Sequence, residues 1–115
     1  MEAMFYRMYV LEDLDISHFD TSKVTDMSWM FFYCENLISL DLRTFNTSSV
    51  TNMLLMFGEN RDLEILNLSY FDTSKVLSMK RMFTGCQSLS SLNISNFDTS
   101  KVTDMTYMFL NCERV

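Results

Sequence analysis

The sequence predicts an α/β solenoid of about four 26-residue coils, with one short parallel strand and one short helix in each coil. One segment, FDTSKV at residues 19–24, returns in closely similar form at 45–50, 71–76 and 97–102 without insertion or deletion. Methionine and phenylalanine recur at helical spacing, and leucines alternate with polar residues. Because a fixed period of this length is typical of repeat architectures, we expect a single domain. Its coils are 1–26, 27–52, 53–78 and 79–104, followed by a partial coil, 105–115, within a longer array.

The helix of each coil is predicted from apolar residues at positions i, i+3, i+4 and i+7. In the second coil these are Met27, Met30, Phe31 and Cys34, which would lie on one face of a helix with 3.6 residues per turn. Fixed columns of the repeat hold ten of the eleven methionines and nine of the ten phenylalanines. This regularity favours core packing over a copper-binding methionine stripe.

The strand of each coil is predicted where leucines alternate with polar residues, as in Leu40-Asp41-Leu42. Alternation with period two points the polar side chains outward. Parallel stacking with right-handed crossovers would then bury the apolar faces. The outward positions form a possible partner-facing surface, with an ordinary solvated face as the alternative. They are Asp15, Ser39, Asp41, Ile65, Asn67, Ser91 and Asn93, with Asp13 beside them in the first coil.

A polar turn is predicted between the strand and the next helix. Asp20 would close an Asx turn on its own backbone, and Thr21 or Ser22 would cap the next helix. Side-chain hydrogen bonds would thus replace the missing turn residues, since the chain has no proline and two glycines. The acidic column could instead bind calcium, but calcium loops carry several acids and glycines. The predicted turn residues are Asp20, Thr21, Ser22, Asp72, Thr73, Ser74, Asp98, Thr99 and Ser100.

The three cysteines, Cys34, Cys86 and Cys112, share one column of the repeat. Their wide spacing differs from the close pairs of a zinc site, so buried free thiols are expected. A disulfide between Cys86 and Cys112, on adjacent coils, is the alternative. With one histidine and no glycine-rich loop, the sequence offers no catalytic triad or phosphate site. We therefore expect a protein without catalytic residues, cofactor or metal.

The charge balance limits the classes of partner. A formal charge of −6, with 15 acids against 9 bases, argues against nucleic-acid binding, which needs a basic surface. No apolar stretch approaches the roughly 20 residues of a membrane span, so direct membrane insertion is not expected. The first residues also lack the basic start and apolar core of a signal peptide.

The repeat, written F-D-T-S-K-V-T-D-M-x-x-M-F-x-x-C-x-x-L-x-x-L, resembles a 26-residue bacterial surface-protein repeat. That repeat occurs in mycoplasma lipoproteins and in surface proteins of Gram-positive bacteria, and it is similar to BspA-like leucine-rich repeats. The resemblance implies a leucine-rich-repeat-type solenoid, extracellular or cell-surface display, and adhesion to a host or self surface protein. It brings no catalytic residues. The chain departs from the pattern at Met8 and Asn60, which replace cysteine, and at Leu77, which replaces threonine.

Taken with the resemblance, the sequence predicts a non-enzymatic cell-surface protein-interaction or adhesion module. The alternatives are an intracellular repeat scaffold and a structural spacer without a ligand of its own. No polar capping unit follows the fourth coil, and an uncapped repeat leaves an apolar end face. End-to-end self-association is therefore a further expectation.

Overall fold

The computed structural model describes residues 1–10 and 14–115. Successive 26-residue repeats lie on one another as layers joined by backbone hydrogen bonds. The N–H of Met27 donates to the Asn52 carbonyl at 3.0 Å, and the N–H of Met53 donates to the Ser78 carbonyl at 2.9 Å. The N–H of Met79 continues this column with the carbonyl of Asp104. The stacked molecule measures 31 × 31 × 22 Å.

Two short strands lie on one side of the stack. Strand β1 spans Ile65–Asn67 and strand β2 spans Ser91–Asn93. They pair in parallel, with Leu66 opposite Leu92. An isolated parallel bridge joins Ser39 to Ile65, so the preceding repeat lies beside β1 in the same register. A second column of isolated bridges joins Asp26, Asn52, Ser78 and Asp104.

The predicted α/β solenoid, with a helix and a strand in every coil, is wrong. The described residues contain no helix, and only two of the repeats carry a strand. Where a helix was expected, at residues 27–34, the chain makes tight turns. The N–H of Met30 donates to the Met27 carbonyl at 3.4 Å, and Trp29 and Tyr33 have φ angles of 60° and 66°. Among residues 1–10 and 14–115 there is accordingly no helix long and apolar enough to cross a membrane.

The sign of φ explains why no helix forms. Positive φ recurs at every fourth residue of this segment, and the third residue of a type II turn requires it. A left-handed residue costs an L-amino acid roughly 1–2 kcal/mol, and it stops a right-handed helix. The residues involved are Ala3, Arg7, Trp29, Tyr33, Leu55, Glu59, Arg81, Gly85, Tyr107 and Asn111.

Hydrogen bonds between layers support this turn backbone. The N–H of Phe31 donates to the Met56 carbonyl at 2.9 Å, and that of Phe57 donates to the Met82 carbonyl at 3.0 Å. Such bonds run to a residue 25 positions further along, whereas an α-helix would use the carbonyl four positions earlier. The segment therefore depends on hydrogen bonds to its neighbouring layers in addition to its own local turn bonds.

The tight turns at residues 27–34 and their equivalents form the turn side of the stack, and β1 and β2 lie on the strand side. The core lies between these two sides. One column of phenylalanines forms a continuous stack, with rings within 10° of parallel and centroids 5.4–5.8 Å apart. The central rings, Phe31, Phe57 and Phe83, are fully buried. The equivalent methionine and leucine columns pack around them. The phenylalanines of the stack are Phe5, Phe31, Phe57, Phe83 and Phe109.

Candidate functional site

The predicted partner-facing residues are all exposed on the strand side. Ile65 and Asn67 belong to β1, and Ser91 and Asn93 belong to β2. Ser39 joins this side through its bridge to Ile65, whereas Asp15 and Asp41 lie outside the two strands. Asp13 falls outside the described residues.

The polar side chains of this side also shape its backbone. The Oδ1 atom of Asp41 accepts the N–H of Arg43 at 3.1 Å, and that of Asn67 accepts the N–H of Ser69 at 3.0 Å. Asp15 and Asn93 make the same contact with the residue two positions on. These are Asx turns, so one oxygen of each side chain is already occupied by the fold.

Asp41 makes a further contact that sequence reasoning missed. The Arg43 guanidinium approaches both carboxylate oxygens, with Nη2 at 2.7 Å from Oδ2 and Nε at 3.0 Å from Oδ1. Hydrogen bonds from Arg43 hold the pKa of Asp41 at about 2, well below its usual range. Such a bidentate pair is geometrically specific, and it fixes the direction of an otherwise flexible arginine on this surface.

Two shallow grooves lie side by side on the strand side, because consecutive residues line one and then the other. The larger, of about 450 Å³, is lined by Asn36, Ile38, Asp62, Glu64 and Ser88. The smaller, of about 270 Å³, is lined by Ser39, Leu40, Asp41, Leu42, Arg43, Ile65 and Asn67. We call the two together the double groove.

The double groove combines apolar and acidic groups. Ile38 and Ile65 are 53% and 55% exposed, so large apolar side chains stand in water there. Neither Asp62 nor Glu64 has an ion-pair partner within the described part of the chain. Sequence reasoning missed both acids. The available signal was that these two positions, just before the predicted strand, hold different residues from repeat to repeat.

The predicted turn residues stack between layers, but they do not cap helices. The Thr21 hydroxyl donates to the Asn46 carbonyl at 3.0 Å and accepts the Asn46 N–H at 2.8 Å. Thr47 and Thr73 repeat this contact with the next layer, and Thr99 is exposed. Helix capping by Thr21 or Ser22 was therefore a wrong prediction, because no helix follows and the threonines join layers instead.

The acids of this turn accept backbone N–H groups. Asp20 Oδ1 accepts the N–H of Ser22 at 3.0 Å, which is the expected Asx turn. Asp72 and Asp98 do the same with Ser74 and Ser100. Hydrogen bonds from the side chain and then from the backbone N–H of the same serine lower the pKa of each of the three carboxyl groups. Within residues 1–10 and 14–115, no three His, Cys, Asp or Glu side chains gather as possible metal ligands.

A further column of Asx-type turns escaped the sequence analysis. Asp26 Oδ1 accepts the N–H of Ser28 at 2.8 Å, and Asp104 Oδ1 accepts that of Thr106 at 2.9 Å. Asn52 makes the same contact, and Ser78 does so through its hydroxyl at 3.4 Å. The 26-residue recurrence of a short polar side chain at this position was the signal available. Each repeat therefore has three corners of this kind.

The cysteine column is structural. Cys34, Cys86 and Cys112 are free thiols, and the alternative disulfide does not form. Cys86 Sγ lies 3.1 Å from the Phe57 carbonyl, and burial raises the pKa of this thiol to about 12. Because the thiolate is the reactive form, Cys86 is a poor nucleophile.

Asn60 replaces cysteine in this column and makes more contacts than a thiol does. Its Nδ2 donates to the carbonyls of Phe31 and Phe57 at 2.8 and 2.9 Å. Its Oδ1 accepts the N–H of Cys34 at 2.7 Å. The side chain is fully buried, so the departure from the repeat pattern connects two layers in the middle of the stack.

Comparison with protein families gives one finding. The family model described as "Mycoplasma protein of unknown function, DUF285" matches residues 1–115. Comparison with curated proteins and with solved structures gives no match. The match supports a mycoplasma protein family as the setting of this repeat, and it adds nothing about a ligand.

Proposed function

The chain belongs to the mycoplasma family described as DUF285, and on that premise we propose that it is a non-enzymatic protein-interaction module displayed at a cell surface. The likeness of its repeat to BspA-like surface-protein repeats supports extracellular display. The same likeness favours adhesion to a host or self surface protein. Recognition would take place at the double groove and would require no cofactor.

The observation that carries the proposal is the composition of the double groove. Ile38 and Ile65 each offer about half of a large apolar side chain to a partner, and burial of apolar surface is the main favourable term in association. Asp62 and Glu64 stand beside them without a cationic partner in the described part of the chain. A protein segment that carries apolar and basic side chains would match both features.

The pair Asp41–Arg43 would set the orientation of such a segment. Its guanidinium is held by two carboxylate contacts and keeps further N–H donors for a partner's carbonyl groups. A group that is ordered before binding loses less conformational entropy on association. The rim of the smaller groove would therefore contribute specificity more than affinity.

A structural spacer is the second candidate, and one observation favours it. Asp15, Asp41, Asn67 and Asn93 use one side-chain oxygen each to close Asx turns, so their recurrence serves the backbone. A spacer needs that regularity and no exposed groove. The two candidates differ in whether the double groove binds a partner. In the first candidate its side chains contribute to binding, and in the second they do not. These side chains are Ile38, Ile65, Asp62 and Glu64.

The test measures binding of the whole chain to surface-protein extracts of host and mycoplasma cells. A double variant, Ile38→Ser with Ile65→Ser, is compared with Leu77→Ser, which changes a side chain of similar size that is 49% exposed elsewhere. We expect captured surface proteins to be lost from the double variant and retained by Leu77→Ser. Equal capture by the wild type, the double variant and Leu77→Ser would refute the double groove as the binding site. No capture by any of the three would favour the spacer.

A second arm removes charge instead of apolar surface. In Asp62→Asn with Glu64→Gln, the side-chain shapes are conserved while both negative charges are lost. We expect weaker binding of the captured proteins and a weaker dependence on salt, because screening acts on exposed charges. Unchanged salt dependence would exclude Asp62 and Glu64 from recognition.

A further inference from the structure

Three aromatic side chains of the second layer lie on the outer surface of the turn side, away from the core. They are Trp29, Phe32 and Tyr33, and we call them the aromatic patch. The ring centroids of Trp29 and Phe32 are 4.8 Å apart, and those of Phe32 and Tyr33 are 5.3 Å apart. Each of the three residues is partly exposed, whereas the neighbouring Phe31 of the core stack is fully buried. The aromatic patch therefore keeps ring surface in contact with water.

Neighbouring residues hold the aromatic patch in place. Tyr6 of the first layer stacks on Phe32 with centroids 5.6 Å apart, and the Tyr9 and Tyr33 rings meet edge to face at 5.8 Å. On the other flank, Gly58 leaves room for Phe32, since a Cβ atom there would approach that ring to 3.0 Å. Rings that are ordered before binding lose little conformational entropy when a ligand packs on them.

A row of charged side chains lies beside the aromatic patch. Glu35 follows Tyr33 by two residues, and Glu59 takes the position equivalent to Tyr33 in the third layer. The N–H of Tyr33 donates to the carbonyl of Gly58 at 3.0 Å, which brings the two layers together at this point. Arg61 contacts both acids, with Nη1 3.6 Å from Glu35 Oε1 and Nη2 3.9 Å from Glu59 Oε2. We call Glu35, Arg61 and Glu59 the charged row.

The charged row keeps hydrogen-bonding groups for a ligand. Both of its ion-pair distances exceed the roughly 2.7–3.2 Å of an N–H···O hydrogen bond. Beyond these two ion pairs, the three side chains make no hydrogen bond to a residue that the structure describes. They are 25–48% exposed, so a ligand can reach them. Guanidinium donors and carboxylate acceptors therefore stand side by side.

This alternation of donors and acceptors selects a neutral ligand. An anion would be repelled by Glu35 and Glu59, and a cation would be repelled by Arg61. A hydroxyl group can accept from a guanidinium and donate to a carboxylate at the same time, so a ligand with several hydroxyl groups fits the charged row. A sugar ring also has a face of C–H groups, which suits the negative face of an aromatic ring. A saccharide matches both features.

We propose that the aromatic patch and the charged row form a binding site for a neutral oligosaccharide. One sugar ring packs against Tyr33, and its hydroxyl groups form hydrogen bonds with the charged row. A second sugar unit reaches Trp29 across Phe32. The site shares no residue with the double groove, and saccharide binding is a function separate from binding of a protein there.

The test uses the fluorescence of Trp29, which is the only tryptophan in the chain and so reports on this site alone. Maltotriose, cellotriose and triacetylchitotriose are each titrated into the whole protein up to millimolar concentrations. We expect a saturable change in tryptophan emission with at least one of the three. Because the ligand is neutral, the affinity should depend little on salt.

Two variants carry residues that the repeat itself accepts at the same positions. Tyr33→Asn introduces the residue found at position 111, where φ is also positive, and removal of the ring should weaken binding about tenfold. Arg61→Gln introduces the residue found at position 87, and loss of the guanidinium should weaken binding by about threefold or more.

Two controls change the strand side instead. Tyr70→Asn removes an aromatic ring that is 58% exposed and introduces the residue found at position 96. It should bind the saccharide like the wild type. The double variant Ile38→Ser with Ile65→Ser should do so as well, which keeps failure of the double groove distinct from failure of this site. Circular dichroism checks that every variant keeps its fold.

The results divide as follows. No change in emission with any of the three saccharides overturns the proposal. So does unchanged affinity in folded Arg61→Gln or Tyr33→Asn, or an equal loss in Tyr70→Asn. Weaker binding in Tyr33→Asn and Arg61→Gln, with wild-type binding in both controls, would support the site.

Discussion

The turn side and the strand side of the stack differ in burial and in how much their residues vary between repeats. On the turn side, residues 53–57 include Met53, Met56 and Phe57, which are fully buried on a backbone with repeated positive φ. On the strand side, Ile65 and Asn67 are exposed on a regular extended backbone. The turn side repeats its apolar residues almost without change, whereas the strand side varies its outward residues. Packing therefore constrains the first side, and the second is free to carry recognition.

The largest expected difference between the two sides is the cost of removing a side chain. Phe57→Ala removes the central ring of the stack and should lower the free energy of unfolding by about 3–5 kcal/mol. Ile65→Ala, on the exposed side, should cost less than about 1 kcal/mol. Chemical denaturation of both variants measures the difference. Equal losses would mean that the strand side is also part of the core.

Asn60 tests whether a departure from the repeat is structural. Asn60→Ala leaves the Cys34 N–H without its side-chain acceptor and the Phe31 carbonyl without its donor, which should cost about 2–3 kcal/mol. Asn60→Cys restores the thiol that other repeats use at this position and should recover part of that loss. If both variants unfold at the wild-type denaturant concentration, the three hydrogen bonds of Asn60 contribute nothing to stability.

Substitutions of Arg81 test whether this residue lies in a left-handed turn or in a helix. At its φ of 54°, glycine avoids the steric cost of a Cβ atom, so Arg81→Gly should be more stable than Arg81→Ala by about 1 kcal/mol. In a helix the order reverses, with alanine favoured by about 1 kcal/mol. Both variants lose the contact of Arg81 with the Tyr107 ring, so the pair is matched. Thermal unfolding of the two gives the sign.

The smallest expected effect is a pH dependence of the stability of the fold that arises from Asp41 on the strand side. The pKa of Asp41 is lowered to about 2, whereas an unfolded aspartate titrates near pH 3.9. The stabilisation that ionised Asp41 gives the fold is present above pH 4 and is lost as the pH falls through the folded pKa of Asp41. Asp41→Asn keeps an acceptor for the Arg43 N–H but removes the charge pair. Its unfolding midpoint should change less between pH 5 and pH 2 than that of the wild type.

The columns of the repeat could be read from the sequence because each one repeats a single chemical type. The 26-residue step placed Met27, Phe31 and their equivalents in contact, and the Asx turn at Asp20 followed from side-chain chemistry. The helix prediction failed because the spacing i, i+3, i+4, i+7 is shared by a helix and by successive turns with two inward residues each. Positive φ usually needs glycine, and only Gly85 marks it in this chain.

The candidate site was predicted in part for a similar reason. Ile65 and Asn67 were placed on the exposed strand side by alternation alone. Asp62 and Glu64 were missed because the double groove forms between three neighbouring layers, and no single repeat contains it. The Asp41–Arg43 pair depends on how an Asx turn directs the arginine, which the spacing of the two residues does not reveal.

Residues 53–57 form a layer that is hydrogen-bonded to the next layer, and they do not form a helix. Nuclear magnetic resonance can detect scalar coupling across a hydrogen bond between a ¹⁵N and a ¹³C carbonyl nucleus. We expect coupling from the N–H of Phe57 to the carbonyl of Met82, 3.0 Å away. Coupling from Phe57 to the carbonyl of Met53, the partner in an α-helix, would contradict it.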